Sequence, residues 1–151
     1  MADPIQQLII DKIDTRFKTI LVANGNGYVT NIGQHVNWWK ESPLAIADLP
    51  GMNLRDRDES RTLGCGIYDR ILSIEIEASV SGSDSPETAR LIEADIEKAI
   101  FVDDTWDGLA EISDITGSRK EAEQKQNKVA KVRIVMQIEY RTIRGDAYTQ
   151  P

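Results

Sequence analysis

Residues 129–142, VAKVRIVMQIEYRT, constrain the fold more than any other stretch. From Val132 every second residue is apolar: Val132, Ile134, Met136, Ile138 and Tyr140. Between them stand Lys131, Arg133, Gln137, Glu139 and Arg141, with Val135 the exception. A period of two with one apolar and one wet side is the pattern of a strand lying on a core. A strand in a globular domain is usually about 5–6 residues long, so this one points to assembly as well as to folding. A second alternation follows the same rule at residues 68–80. There Leu72, Ile74, Ile76, Ala78 and Val80 share one face, and Ser73, Glu75, Glu77 and Ser79 the other. With Glu75 and Glu77 on a wet face and no acid/base partner in view, they read as outward residues or subunit contacts.

Two stretches carry helical spacing instead. Ile5, Leu8, Ile9, Ile13, Phe17, Ile20 and Leu21 recur at steps of three and four behind Asp3-Pro4. Asp3 is suited to accept a free amide there and Pro4 to the first turn, and Asn24-Gly25-Asn26-Gly27 is read as the stop. The second helix starts at Ser85-Pro86-Glu87 after a turn at 81–85, buries Ala89, Ile92, Ile96, Ala99 and Ile100, leaves Leu91 at its edge, and ends near Val102.

The rest is more broken. Tyr28-Val29-Thr30 and His35-Val36 read as short strands around a turn, and two prolines, Pro43 and Pro50, mark an irregular connection after Trp38-Trp39. Residues 52–55 read as a short strand and 56–62, DRDESRT, as a loop. Residues 109–115 alternate as a strand. Residues 117–128, GSRKEAEQKQNK, are polar without an apolar face, so a long hairpin from about 112 to 142 is expected, with 117–128 as a tip projecting into solvent. A helical turn over 119–126 is the competing reading. Two helical stripes and about five strands make an α+β domain: a mainly antiparallel sheet, both helices on one face, and a long C-terminal hairpin. At 151 residues a single domain, 1–151, accounts for the chain, with 143–151 as a C-terminal tail.

Composition narrows the partners. A formal charge of −7 opposes phosphate, so groove-type nucleic-acid binding is not expected, although a passage through which DNA slides is compatible. No apolar run approaches the ~20 residues that cross a bilayer, and the N-terminus shows no signal-peptide pattern. Cys65 is the one cysteine, which excludes an intrachain disulfide and fits a reducing cytosol.

No catalytic constellation, metal site or cofactor site is expected. Asp103, Thr105, Asp107, Gly108 and Asp114 fall at places of a calcium loop. Thr105 stands where Asp or Asn is needed, and Asp114 where a bidentate Glu is needed, so an acidic turn anchored by Trp106 is the better reading. A Cys65–His35 nucleophilic pair lacks any signature around Gly64-Cys65-Gly66. Residues 24–27 lack the strand-before, helix-after setting of a phosphate loop. Arg144-Gly145-Asp146 spells an integrin tripeptide in a chain without a secretion signal. Trp38-Trp39 is read as one indole facing in and the other partly out, the outer one open to a ligand or partner.

In order and spacing, these parts resemble the tail terminator family of long-tailed bacteriophages, of the lambda minor tail protein U type. The resemblance runs over nearly the whole chain. It covers the opening helix with its Asn-Gly stop, and Trp39…Ser42-Pro43-Leu44…Asp48-Leu49-Pro50 leading into Met52-Asn53-Leu54. It continues through Ile74-Glu75-Ile76-Glu77-Ala78, the 86–100 helix, and Ile138-Glu139-Tyr140-Arg141-Thr142 with Gly145-Asp146-Ala147-Tyr148. The resemblance implies a non-enzymatic structural subunit of the virion. It would close into a homo-hexameric ring on the tail tube protein, stop tube growth and later meet the head–tail connector, with DNA only passing through the lumen. Its places would be the head-proximal end of the tail and, during assembly, the host cytoplasm. A phage neck or head-completion protein of similar size is the alternative. A small hydrolase or calcium module built on Cys65 or on 103–114 is the reading from another class.

Overall fold

A computed structural model describes residues 2–82, 84–124 and 128–151. The chain runs α1 (Ile5–Phe17), β1 (Val36–Trp38), β2 (Gly51–Gly64), β3 (Ile67–Ser81), α2 (Ser85–Phe101), β4 (Ile112–Gln124) and β5 (Lys128–Ile143). One five-stranded sheet carries the order β1-β2-β3-β5-β4. All pairings are antiparallel except β1 with β2. This is the α+β layout that the two periodicities predict.

The sheet's apolar face is built by lateral rows. Met52, Ala78 and Val132 stand in one row, Leu54, Ile76 and Ile134 in the next, and Ile74 beside Met136 in a third. All eight are almost wholly buried. Both helices put their stripes on this face, α1 through Ile5, Ile9, Ile13 and Phe17, and α2 through Ala89, Ile92, Ile96, Ala99 and Ile100. Burying each such side chain contributes roughly 1.5–3 kcal/mol, which places the stability of the domain in this interlayer.

Several local expectations are corrected. β2 is one strand of fourteen residues, so 56–62 is strand and not loop. Its outer half alternates charge with charge, Arg57, Asp58, Glu59 and Arg61, and so carries no hydropathy signal for a period of two. Tyr28, Val29 and Thr30 are not a strand; the Val29 and Thr30 amides donate to the buried Asp95 carboxylate of α2 instead. α1 ends at Phe17, well before Asn24, and its first amide is taken by the Ala147 carbonyl rather than by Asp3. The chain can turn back tightly there because Gly33 lies on α1's end: a Cβ at that position would sit 2.3 Å from the Phe17 carbonyl oxygen. Asp84, not Ser85, is the cap residue of α2. Leu109 and Ala110 belong to a turn, and the strand starts at Ile112.

The C-terminal hairpin is present, β4 paired with β5 from Ile112↔Glu139 to Gln124↔Lys128, with a bulge between Ile115 and Gly117. Residues 119–124 are extended, which sets aside a helical turn there; 125–127 lie outside the described residues. The expected projection is much shorter than 117–128. β5 is flanked by β3 as far as Ser81↔Val129, so Gly117–Gln124 runs along the sheet as its outer strand. The more exposed stretch is the far half of β2, whose hairpin with β3 closes at Cys65-Gly66, where both residues have positive φ.

Candidate functional site

The residues with chemical potential in the sequence are scattered by the fold. His35 stands just before β1 and beside the start of β2, its Nδ1 3.3 Å from the Pro50 carbonyl oxygen, whereas Cys65 is exposed just past the other end of β2. Fourteen extended residues separate them by on the order of 40 Å, so they form no nucleophilic pair. Gly25 closes a short 3-10 turn, and Asn24 donates to the Thr19 carbonyl at 2.9 Å, which leaves no phosphate cradle there. Asp146 turns back onto its own tail, accepting from Tyr148 N at 3.0 Å and Thr149 Oγ1 at 2.7 Å.

The 103–108 segment is a corner closed on itself. Asp103 accepts from the amide and hydroxyl of Thr105 at 3.0 and 2.6 Å, and from the Asp107 amide at 2.8 Å. Those donors hold its carboxyl down to about 2, the Thr105 hydroxyl contributing most. Asp107 pairs with Lys12 at 2.8 Å, and Asp114 accepts from the next amide of β4. Trp106 is fully buried, and its indole N–H donates to Ser113 at 2.8 Å. Oxygens engaged in this way build a turn, as the mismatch at Thr105 and Asp114 implies. Among the described residues, no group of three or more acidic, histidine or cysteine side chains is placed to hold a metal ion.

What remains open is the perimeter of the sheet. β1 covers β2 only along Met52, Asn53 and Leu54, and Trp39 N adds one more bond to the Leu54 carbonyl. Beyond it, Arg55 to Gly64 have β3 as their one strand neighbour. On the opposite side, β4 has β5 alone. The sheet therefore ends in two long edges facing opposite ways. A free edge exposes amides and carbonyls ready to pair with another chain.

The two edges are dressed differently. The far half of β2 is stiffened by charge: Glu59 accepts from Arg70 at 3.2 Å and from Arg61 at 3.1 Å, and the Tyr140 hydroxyl donates to it. Arg70 is buried and also donates to Thr142 at 2.8 Å. Burial, then the Glu59 carboxylate, push the Tyr140 hydroxyl well above its ordinary value. The β4 edge is tied to α2 by Lys120–Glu93 at 2.5 Å. The helix-free face between the edges is polar and cross-linked: Glu77 pairs with Arg133 at 3.1 Å, Arg141 with Asp69 at 2.7 Å, and Glu75 with Arg57 at 3.6 Å.

The tryptophan pair divides as expected. Trp38 packs on the core and donates its indole N–H to Asp14 at 3.0 Å. Trp39 is half exposed at φ +54°, with its indole N–H on Asp56 at 2.7 Å. The Glu59–Arg70–Tyr140 network was not anticipated from sequence. Its one signal is Arg70, a charge in the Tyr68–Arg70–Leu72 row that points to the core side and so requires a buried partner.

Compared with known proteins, the sequence matches no family model and no curated protein.

Proposed function

We propose that this chain is a ring-forming virion assembly subunit of the phage tail terminator type. It acts without catalysis: copies close into a ring on the tail tube, stop its growth and present the joint to the head connector. The observation that carries this reading is the pair of open edges, Arg55–Gly64 on β2 and Ile112–Gln124 on β4, at opposite sides of one sheet. Joining one copy's β2 edge to the next copy's β4 edge is a heterologous contact, the kind that builds a ring when the repeated rotation returns on itself. Two further features support it. The helix-free face is polar and ion-paired, the surface expected of a wall bordering water. The net charge of −7 lets DNA move past such a wall without adhering.

The test is solution mass by light scattering, for the protein alone and with tail-tube protein. A six-fold species, or a monomer that becomes one on tube ends, supports the proposal. A strict monomer indifferent to tubes overturns it in favour of a neck or head-completion role.

A further inference from the structure

Beside the start of the open β2 edge lies a groove of about 600 Å³ between α1 and the β1–β2 corner. Its wall holds Trp38, Trp39 and three carboxylates, Asp11, Asp14 and Asp56, against one ammonium, Lys18. Lys18 is committed to Asp14 at 2.7 Å. Trp39 is 53% exposed, and its orientation is fixed at two points: its backbone amide on the Leu54 carbonyl and its indole N–H on Asp56. Asp56 is itself held by Gln6 at 3.1 Å. An indole locked in this way presents its π face with little rotamer entropy left to lose on binding.

We infer that this groove docks a partner protein through an arginine or lysine side chain laid on the Trp39 ring, with the surrounding carboxylates completing the charge. The chemistry is that of cation–π recognition, and indole is the strongest of the natural ring acceptors. The protein uses the same contact internally, where cations stand over Trp106, Tyr68, Tyr140 and Tyr28. Charge selects the occupant. With three carboxylates against one ammonium already paired to Asp14, the groove is acidic, so the complementary occupant is a basic segment of a partner protein. This inference does not depend on the ring proposal.

The probe is the peptide Gly-Ser-Arg-Val-Arg-Ser-Gly, alongside a version with both arginines replaced by neutral citrulline. The readouts are the indole N–H resonances of the whole protein in NMR and the affinity by calorimetry. The expected result is a saturable shift of the Trp39 indole with Trp106 unmoved. Binding should weaken about tenfold for Trp39→Leu and for the citrulline peptide, and severalfold for Asp11→Asn. Asp11 lies on the exposed side of α1, so that variant reads the groove even if Trp39→Leu fails to fold. A Trp39 indole that does not move overturns the inference. So does an affinity unchanged by Trp39→Leu, because the peptide would then be responding to net charge alone, or one unchanged by Asp11→Asn, because the groove's carboxylates would then take no part.

Discussion

The guanidinium carbon of Arg16 lies 3.9 Å from the centroid of the Trp106 ring. The same guanidinium donates to the Asp103 carbonyl at 2.6 Å and to the Ala99 and Ile100 carbonyls at 3.3 Å. One side chain of α1 thereby stacks on the buried corner and closes the last turn of α2, whose final carbonyls have no partner within the helix. Phe17 completes the corner, edge-on to Trp106 at 6.3 Å. Burial lowers the Arg16 pKa while the Asp103 and Asp107 carboxylates oppose that effect, which is the signature of a partly desolvated cation held by its acids.

Removing that cation should cost more than a surface ion pair. Arg16→Leu leaves three carbonyls without their donor and the indole face without its cation, and is expected to destabilise the fold by about 2–4 kcal/mol. Arg16→Lys should recover less than half, since a point charge cannot span three carbonyls and a ring. Urea unfolding of the three proteins checks this; equal stability of Arg16→Leu and wild type would refute the role.

Asp103 predicts an acid limb. Its carboxyl is held at about 2, below the ordinary 3.8, mainly by the Thr105 hydroxyl and the amides of Asp107 and Thr105. A depressed folded-state value means stability that is complete above the unfolded-state value and lost as pH falls from 3.8 towards 2. Asp103→Asn should therefore be less stable than wild type at neutral pH, with the gap closing over that window. Thermal melting against pH measures the gap, and a constant gap down to pH 2 would refute the assignment.

Tyr140 and Glu59 give the opposite limb. The folded state holds the Tyr140 hydroxyl protonated, through burial first and the Glu59 carboxylate second, so its value lies above the ordinary 10.0. A raised value contributes stability that is complete below the unfolded-state value and falls away as pH rises past it. Tyr140→Phe should lose about 1.5–3 kcal/mol at neutral pH, the worth of a hydrogen bond to a charged acceptor. It should also flatten the decline above pH 10. Denaturant melts across alkaline pH, paired with tyrosinate absorbance, separate the two effects.

The same network explains where sequence reading stops. β3 and β5 were legible because Leu72, Ile74 and Ile76, like Val132, Ile134 and Met136, bury apolar groups at every second place, and burial is what periodicity reports. β2 beyond Leu54 was not, because its core-side positions are Asp56, Glu59 and Arg61, satisfied by Gln6, Trp39, Arg70 and Tyr140 from elsewhere in the chain. A strand held by remote hydrogen bonds has no local signature. The Trp39 groove was half legible: two adjacent indoles on one strand end must face opposite ways, but their separate tethers to Asp14 and Asp56 exist only in the fold. The capping of α1 by Ala147 was invisible for the same reason, being a contact between the two ends of the chain.

The ring proposal makes a prediction at the β2 edge that stability alone cannot mimic. Ser60 and Thr62 are exposed, face the helix-free side and have β3 as their strand neighbour. Replacing both with lysine leaves the core untouched, so unfolding should shift by no more than about 0.5 kcal/mol per site. Lysines along an edge are a recognised obstacle to pairing with a further strand, because joining would desolvate the ammonium groups against the incoming backbone. Ser60→Lys with Thr62→Lys should therefore remain a folded monomer and fail to form the six-fold species in light scattering with tail-tube protein. The control is the same pair of lysines at Ser73 and Gln137, register partners on β3 and β5 with β2 and β4 beyond them on either side, where assembly should persist. A six-fold species that survives the edge lysines in a folded protein would show that the copies meet elsewhere.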